Sequence, residues 1–162
     1  MPKVALIMGS KSDWPSLKGC VEVLKTFGIE VEVHVASAHR TPETVAAFAA
    51  NARENGFEVI LAAAGKAAHL AGVIAGHTTL PVIGIPVKSS FMDGLDSLLS
   101  TVQMPTGIPV ATVAVGGGDN AAYLAAQILS IKYPILTEKL LTHREQMAAA
   151  IEADDRQIQD EV

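Results

Sequence analysis

Val35-Ala36-Ser37-Ala38-His39-Arg40-Thr41-Pro42 decides how the rest of the chain is read. Before it, Glu30-Val31-Glu32-Val33-His34-Val35 alternates polar and apolar residues, the period of a strand with one buried face. Thr41-Pro42 then pairs an N-cap residue with the residue best suited to the first helical position. The segment is therefore a strand-to-helix turn that carries a serine, an imidazole and a guanidinium together. Imidazoles move protons near neutral pH, and guanidinium groups grip phosphate or carboxylate with paired hydrogen bonds. Turns of this kind are where open α/β sheets bind their ligands.

The same grammar repeats on both sides. Lys3–Met8 reads as a buried strand, followed by the turn Gly9-Ser10-Lys11-Ser12-Asp13 and a helix from Trp14 to Phe27 that Gly28 stops. Cys20 falls on that helix's apolar stripe and is expected in the core. A second helix is expected from Pro42 to about Asn55, with Val45, Phe48, Ala49 and Ala52 facing inward. Val59–Ala64 is a continuous apolar run, as in a strand covered on both faces. Gly65-Lys66-Ala67-Ala68-His69 then turns into a helix ending near His77. Val82–Ile85 is a fourth strand, Pro86–Gly94 an irregular stretch, and Leu95–Ser100 a short helix. Val110–Val115 is the fifth strand, and Gly116-Gly117-Gly118-Asp119-Asn120 opens an alanine-rich helix.

Strands alternating with helices predict a three-layer α/β fold: a doubly wound parallel five-stranded sheet. Residues 1–133 are expected to form this domain. Residues 134–162 are predicted as a long helical extension packing on a neighbouring subunit, with its acidic end beyond Ala153 frayed.

Composition narrows the function. Hydrophobic residues make up 49% of the 162 and charged residues only 18%, with a mean hydropathy of +0.33. The longest apolar runs fall far short of the ~20 residues of a membrane span, so this apolar surface is expected to be buried between subunits. The start of the chain has no charged and apolar regions of a signal-peptide kind, and the single cysteine makes no disulfide framework; a cytoplasmic protein is expected. The net charge is −5, of which residues 152–162 carry −4 through five acids and one base. No basic stripe points to nucleic acid. An anionic ligand must be held by local geometry.

Successive turns of a parallel sheet meet at one edge, which gathers Gly9–Asp13, Ser37–Arg40, Gly65–His69 and Pro86–Gly94 around one crevice. Of five histidines, His39 and His69 fall there; His34, His77 and His143 are expected to be structural or exposed. No phosphate-loop or dinucleotide fingerprint occurs, and no His/Glu spacing suggests a metal site. Gly116–Gly118 is a second, weaker candidate for an anion nest.

Met8–Trp14, Ser37–Pro42, Ala67-Ala68-His69-Leu70, Gly94–Ser100, Val102-Gln103-Met104-Pro105, Gly107–Val110 and Asn120-Ala121-Ala122 together resemble, in order, the N5-carboxyaminoimidazole ribonucleotide mutases of purine biosynthesis. The resemblance runs to about residue 131 and implies a flavodoxin-like or Rossmann-like fold. It also implies an isomerase that moves a carboxylate from the exocyclic nitrogen of an aminoimidazole ribonucleotide to ring carbon C4. Implied too are a homo-octamer clasped by C-terminal helices, no cofactor and no metal. On this pattern His39 is the catalytic acid/base. Ser10, Asp13 and Arg40 bind the ribonucleotide, Ser37, Ala38, Gly65 and His69 line the site, and Gly9, Ser12, Lys66 and Leu70 complete the contacts. The chain departs from the family's usual Gly-Gly-Ala-Ala-His-Leu-Pro-Gly at Lys66 and Ala71. Direct carboxylation by CO2 and a non-catalytic nucleotide-binding module are the alternatives.

Overall fold

Lys3–Met8 (β1) is the hub of the fold because alternate residues point to opposite faces and both faces are covered. In the computed structural model, which describes residues 1–162, Val4, Leu6 and Met8 enter one core and Ala5 and Ile7 the other. β1 pairs in parallel with Glu30–Val35 (β2) on one side and Val59–Gly65 (β3) on the other. Val82–Val87 (β4) and Ala111–Thr112 (β5) extend the sheet, giving the order β2-β1-β3-β4-β5, all parallel.

Helices Trp14–Thr26 (α1) and Gly118–Ser130 (α5) cover one face through Leu17, Cys20, Leu24, Ala122, Ala125 and Leu129. Pro42–Asn51 (α2) and Leu70–His77 (α3) cover the other through Val45, Ala49, Leu70 and Ile74. Leu95–Val102 (α4) lies against β4, where a Cβ on Gly84 would overlap the Thr101 side chain. Glycine is needed there for helix and strand to approach so closely. The doubly wound five-stranded sheet is the one expected. At the start of α5, a side chain on Gly118 would meet Leu17 and Cys20 at 3.5 Å, so this glycine lies in van der Waals contact with α1.

The boundaries and burial of several elements differ from expectation. α2 stops at Asn51, short of Asn55, because Phe57 must turn back into the core and its N–H donates to Ala52 O over 3.0 Å. β4 continues through Pro86 and Val87, beyond the expected end at Ile85. β5 is reduced to two residues: Pro86 on β4 has no N–H to offer its neighbour, so only single bonds from Val113 N–H to Gly84 O and from Gly116 N–H to Pro86 O continue the line. β2 is an edge strand whose apolar face stays partly open, with Val35 59% exposed.

The chain closes with Pro134–Glu161 (α6), helical to the end of the acidic tail where fraying was expected. Residues 146–161 contain no glycine or proline and are rich in Ala and Gln, which favour helix. Only the first turns of α6 pack on the rest of the chain. Leu136 is buried in the core, Lys139 Nζ donates to Phe27 O over 2.8 Å, and the His143 ring stacks on Tyr123 at 4.6 Å. From Arg144 onward every residue is exposed, Met147, Ile151 and Ile158 included. No helix is long and apolar enough to cross a membrane.

Candidate active site

The turns after β1, β2, β3 and β4 meet at the carboxyl edge of the sheet around a cavity of about 580 Å³. All twelve residues singled out from the sequence line it: Gly9, Ser10, Ser12, Asp13, Ser37, Ala38, His39, Arg40, Gly65, Lys66, His69 and Leu70. Five more were missed: Ala64, Ala67, Lys88, Ser89 and Ser90. Ala67 lies inside a quoted motif, and Ala64 ends the apolar run of β3. Lys88–Ser90 sit in a stretch with no periodicity, where only its position after a strand pointed to the crevice. His34, His77 and His143 lie elsewhere; His34 packs on Phe48 with ring centroids 5.1 Å apart.

Each turn is held by its own side chains. After β1, the Ser10 hydroxyl oxygen accepts from the Ser12 N–H at 3.3 Å and from the Ser12 hydroxyl at 2.9 Å. Asp13 precedes α1 but its side chain makes no capping bond, so its carboxylate stays available. Burial pushes the Asp13 carboxyl above its ordinary range, while the Ser10 backbone amide and the Arg40 charge pull it down without cancelling the effect. After β2, Thr41 was expected to cap α2. Instead its Oγ1 accepts from Ser37 N–H at 2.9 Å and donates to Ser37 O at 3.1 Å, closing the turn on itself.

That closed turn aims its two functional side chains in different directions. Arg40 reaches back toward β1: Nη2 donates to Gly9 O over 2.8 Å and Nε to Ser37 Oγ over 3.3 Å. Two of the five guanidinium N–H groups are thereby engaged, and three remain for a ligand. His39 crosses to the turn after β3, where its Nε2 lies 2.9 Å from His69 Nδ1. The His69 turn is itself pinned from α4, since Ser100 Oγ accepts from Ala68 N–H at 3.0 Å. Beyond it lies a second, shallower hollow lined by Lys66, Ala67, His69, Phe91, Asp96 and Ser100.

The cavity therefore has two chemically distinct ends. Backbone and hydroxyl donors with Arg40 form an anion cradle at the β1 turn. A pair of imidazoles beside small alanine side chains forms the other end, where protons can move. One carboxylate, Asp13, lies at the cradle end, within reach of the Ser10 backbone amide and the Arg40 charge. No group of three or more His, Cys, Asp or Glu side chains is arranged to hold a metal ion.

An open parallel sheet with this polar crevice defines an α/β protein that binds a small anionic ligand at the ends of its strands. Comparison with known proteins makes the class specific. The family model described as AIR carboxylase matches residues 3–150. The chain is 58% identical over 147 residues to the N5-carboxyaminoimidazole ribonucleotide mutase of Saccharolobus solfataricus, covering 91% of this chain and 93% of that one. It is 52% identical over 159 residues to the enzyme of that name from Pyrococcus horikoshii, covering 98% and 90%. Among solved structures, Treponema denticola PurE superposes with a TM-score of 0.86 at 31% identity, over 97% of this chain and 98% of that one. The chain belongs to the AIR carboxylase family.

Proposed function

We propose that the chain interconverts N5-carboxyaminoimidazole ribonucleotide and 4-carboxy-5-aminoimidazole ribonucleotide, an isomerisation of purine biosynthesis. The observation that carries the reading is the His39–His69 pair, 2.9 Å apart in the same cavity as Arg40 and the β1 cradle. A ribonucleotide anchored by its phosphate at Arg40, Ser10 and Ser12 lays its base toward the two imidazoles. Asp13 accepts from the ribose hydroxyls.

The chemistry then needs one acid/base and a small enclosed space. His39 delivers a proton to the carbamate nitrogen. The N–C bond breaks, its electron pair stays on nitrogen, and CO2 leaves. Carbon C4 of the electron-rich ring attacks that CO2, forming the C–C bond. The proton on C4 returns to His39 and the ring regains aromaticity. Ala38, Ala64 and Ala67 keep the adjoining wall small and apolar, suited to holding CO2 beside C4, so that proximity replaces a bimolecular encounter. One imidazole performs both transfers because it is returned to its starting state after each turnover.

The reading carries with it a cytoplasmic location and a homo-octamer. Support for assembly comes from two unpartnered apolar faces: Leu95, Leu99 and Val102 along α4, and Met147, Ile151 and Ile158 along the free part of α6. The experiment is an assay with synthetic N5-carboxylated substrate, alongside aminoimidazole ribonucleotide with bicarbonate. Fast conversion of the first and slow conversion of the second support a mutase. Equal rates would favour direct carboxylation, and tight binding without turnover a binding module.

A further inference from the structure

Lys66 occupies a backbone conformation that a lysine rarely adopts. Its φ is +55°, in the left-handed region that ordinarily goes to glycine. The conformation is imposed from outside the turn: Ser100 Oγ lies 3.1 Å from Lys66 O and 3.0 Å from Ala68 N, tying the residues on either side of Ala67 to α4. Strained positions that persist in a ligand crevice are informative about function.

The other cations of the cavity are directed elsewhere. Arg40 is held by Gly9 O and Ser37 Oγ, and Lys88 Nζ pairs with Asp93 at 2.8 Å. None of the chain's five ion pairs involves Lys66, and its ammonium makes no hydrogen bond; only its backbone carbonyl is contacted. Lys66 lines both the main cavity and the hollow beside it, and shares each with His69. It therefore stands at the imidazole end, across from the anion cradle of the β1 turn. Outside the acidic tail the chain has almost no net charge, so an anion entering that end feels local cations and not a general field.

We propose that Lys66 binds the migrating carboxylate of the substrate. The inference rests on the mutase reading above and extends it to the second anionic group of the ligand, the first being the phosphate. The carboxylate moves only from an exocyclic nitrogen to the neighbouring ring carbon. A single ammonium on a flexible four-carbon stem can follow it across that step, whereas a planar guanidinium fork would be matched to one position. Lys66 thus recognises both carboxylated ribonucleotides about equally and recognises their decarboxylated counterpart not at all. Because the contact weakens as CO2 leaves, it stabilises the bound carboxylated species at least as much as the transition state, so it lowers KM without raising kcat.

The test uses the full-length protein and three variants, Lys66→Gln, Lys66→Gly and Lys66→Arg. KM and kcat are measured with each carboxylated ribonucleotide, and Kd with aminoimidazole ribonucleotide. Lys66→Gln and Lys66→Gly are expected to raise both KM values about tenfold, the scale of one charge-assisted hydrogen bond in a solvent-facing site, with kcat within about twofold. Kd for aminoimidazole ribonucleotide stays at the wild-type value, and Lys66→Arg recovers the loss for one of the two carboxylated ribonucleotides more than for the other. The proposal is overturned if Lys66→Gly, which suits the backbone better than lysine, keeps the wild-type KM. It is equally overturned if Kd for aminoimidazole ribonucleotide rises in parallel, since the contact would then be to phosphate or ribose. If wild type fails to interconvert the two carboxylated species, the mutase reading falls. Kd values for the carboxylated and decarboxylated ligands then decide on Lys66 by themselves.

Discussion

The Nε2 atom of His39 lies 2.9 Å from the Nδ1 atom of His69, and the two rings meet edge to face with centroids 5.0 Å apart. The two residues come from turns on different strands, thirty positions apart in sequence, and Ser37–Thr41 bonds on one side and the Ser100 bond on the other fix their approach. On the proposed mechanism His69 would be a positioning residue, fixing the orientation of the imidazole that is to exchange protons with the ligand. Replacing His69 with Asn frees the His39 ring. We expect kcat to fall about 10²-fold, the cost of misplacing a reacting group by about 1 Å. Kd for aminoimidazole ribonucleotide should change less than threefold. Single-turnover kinetics with parallel equilibrium binding separates the two, and a loss confined to Kd would remove His69 from this role.

Asp13 sets function against stability. Burial raises its pKa in the folded state, so between the unfolded value and that raised value the folded chain binds more protons than the unfolded one. Stability therefore falls as pH rises through that window, and the full penalty is present at neutral pH. Asp13→Asn removes a half-buried charge and should raise the denaturant midpoint of the ligand-free protein at pH 7. The gain should shrink as pH falls and vanish below the ordinary carboxyl range. The same variant should lose ribonucleotide affinity. Lower stability at pH 7 would mean that the carboxylate makes a structural bond that outweighs its burial.

Cys20 gives an independent check on the α1–α5 seam. It is fully buried between those helices, and burial, reinforced by the nearby Asp119 charge, pushes its thiol up to about 12. Only the thiolate is an efficient nucleophile. In native protein at pH 8 the thiol should be inert to iodoacetamide, and one equivalent should react once denaturant unfolds the chain. Rapid labelling of native protein would mean that the seam opens readily.

The free part of α6 predicts where the chain can be shortened. Ending it after His143 keeps Leu136, Leu140 and the Tyr123–His143 stack, so the domain should fold and unfold cooperatively while its mass in solution drops. Ending it after Tyr133 also removes the fully buried Leu136, and loss of such a side chain costs about 2–5 kcal/mol. Sedimentation of the longer truncation decides the matter. An assembly unchanged in mass would show that residues 144–162 do not join subunits.

Much of this arrangement was legible because parallel sheets impose simple rules. β1 and β3 are uninterrupted apolar runs, which only a doubly covered strand tolerates, and their turns must then emerge on one edge. That logic gathers Gly9–Asp13, Ser37–Arg40, Gly65–His69 and Pro86–Gly94 at one crevice. Features set by tertiary contact were not legible. The early end of α2 depends on where Phe57 must go, and the brevity of β5 on a proline in the neighbouring strand. Lys88–Ser90 reach the cavity through a bond from Ser89 Oγ to Asp96 at 3.0 Å, which no local pattern announces. Thr41 has the residue type of an N-cap, yet its hydroxyl closes the His39 turn on itself, a choice made by backbone geometry that composition does not reveal.

The central claim is that one imidazole, at position 39, moves the proton both ways. The most direct measurement is interconversion of the two carboxylated ribonucleotides by His39→Asn, followed from each side, with ribonucleotide binding and oligomer mass measured on the same sample. A folded variant that binds normally and turns over about 10²–10⁴-fold more slowly in both directions is the predicted result. Near-wild-type turnover in either direction by that variant would contradict it.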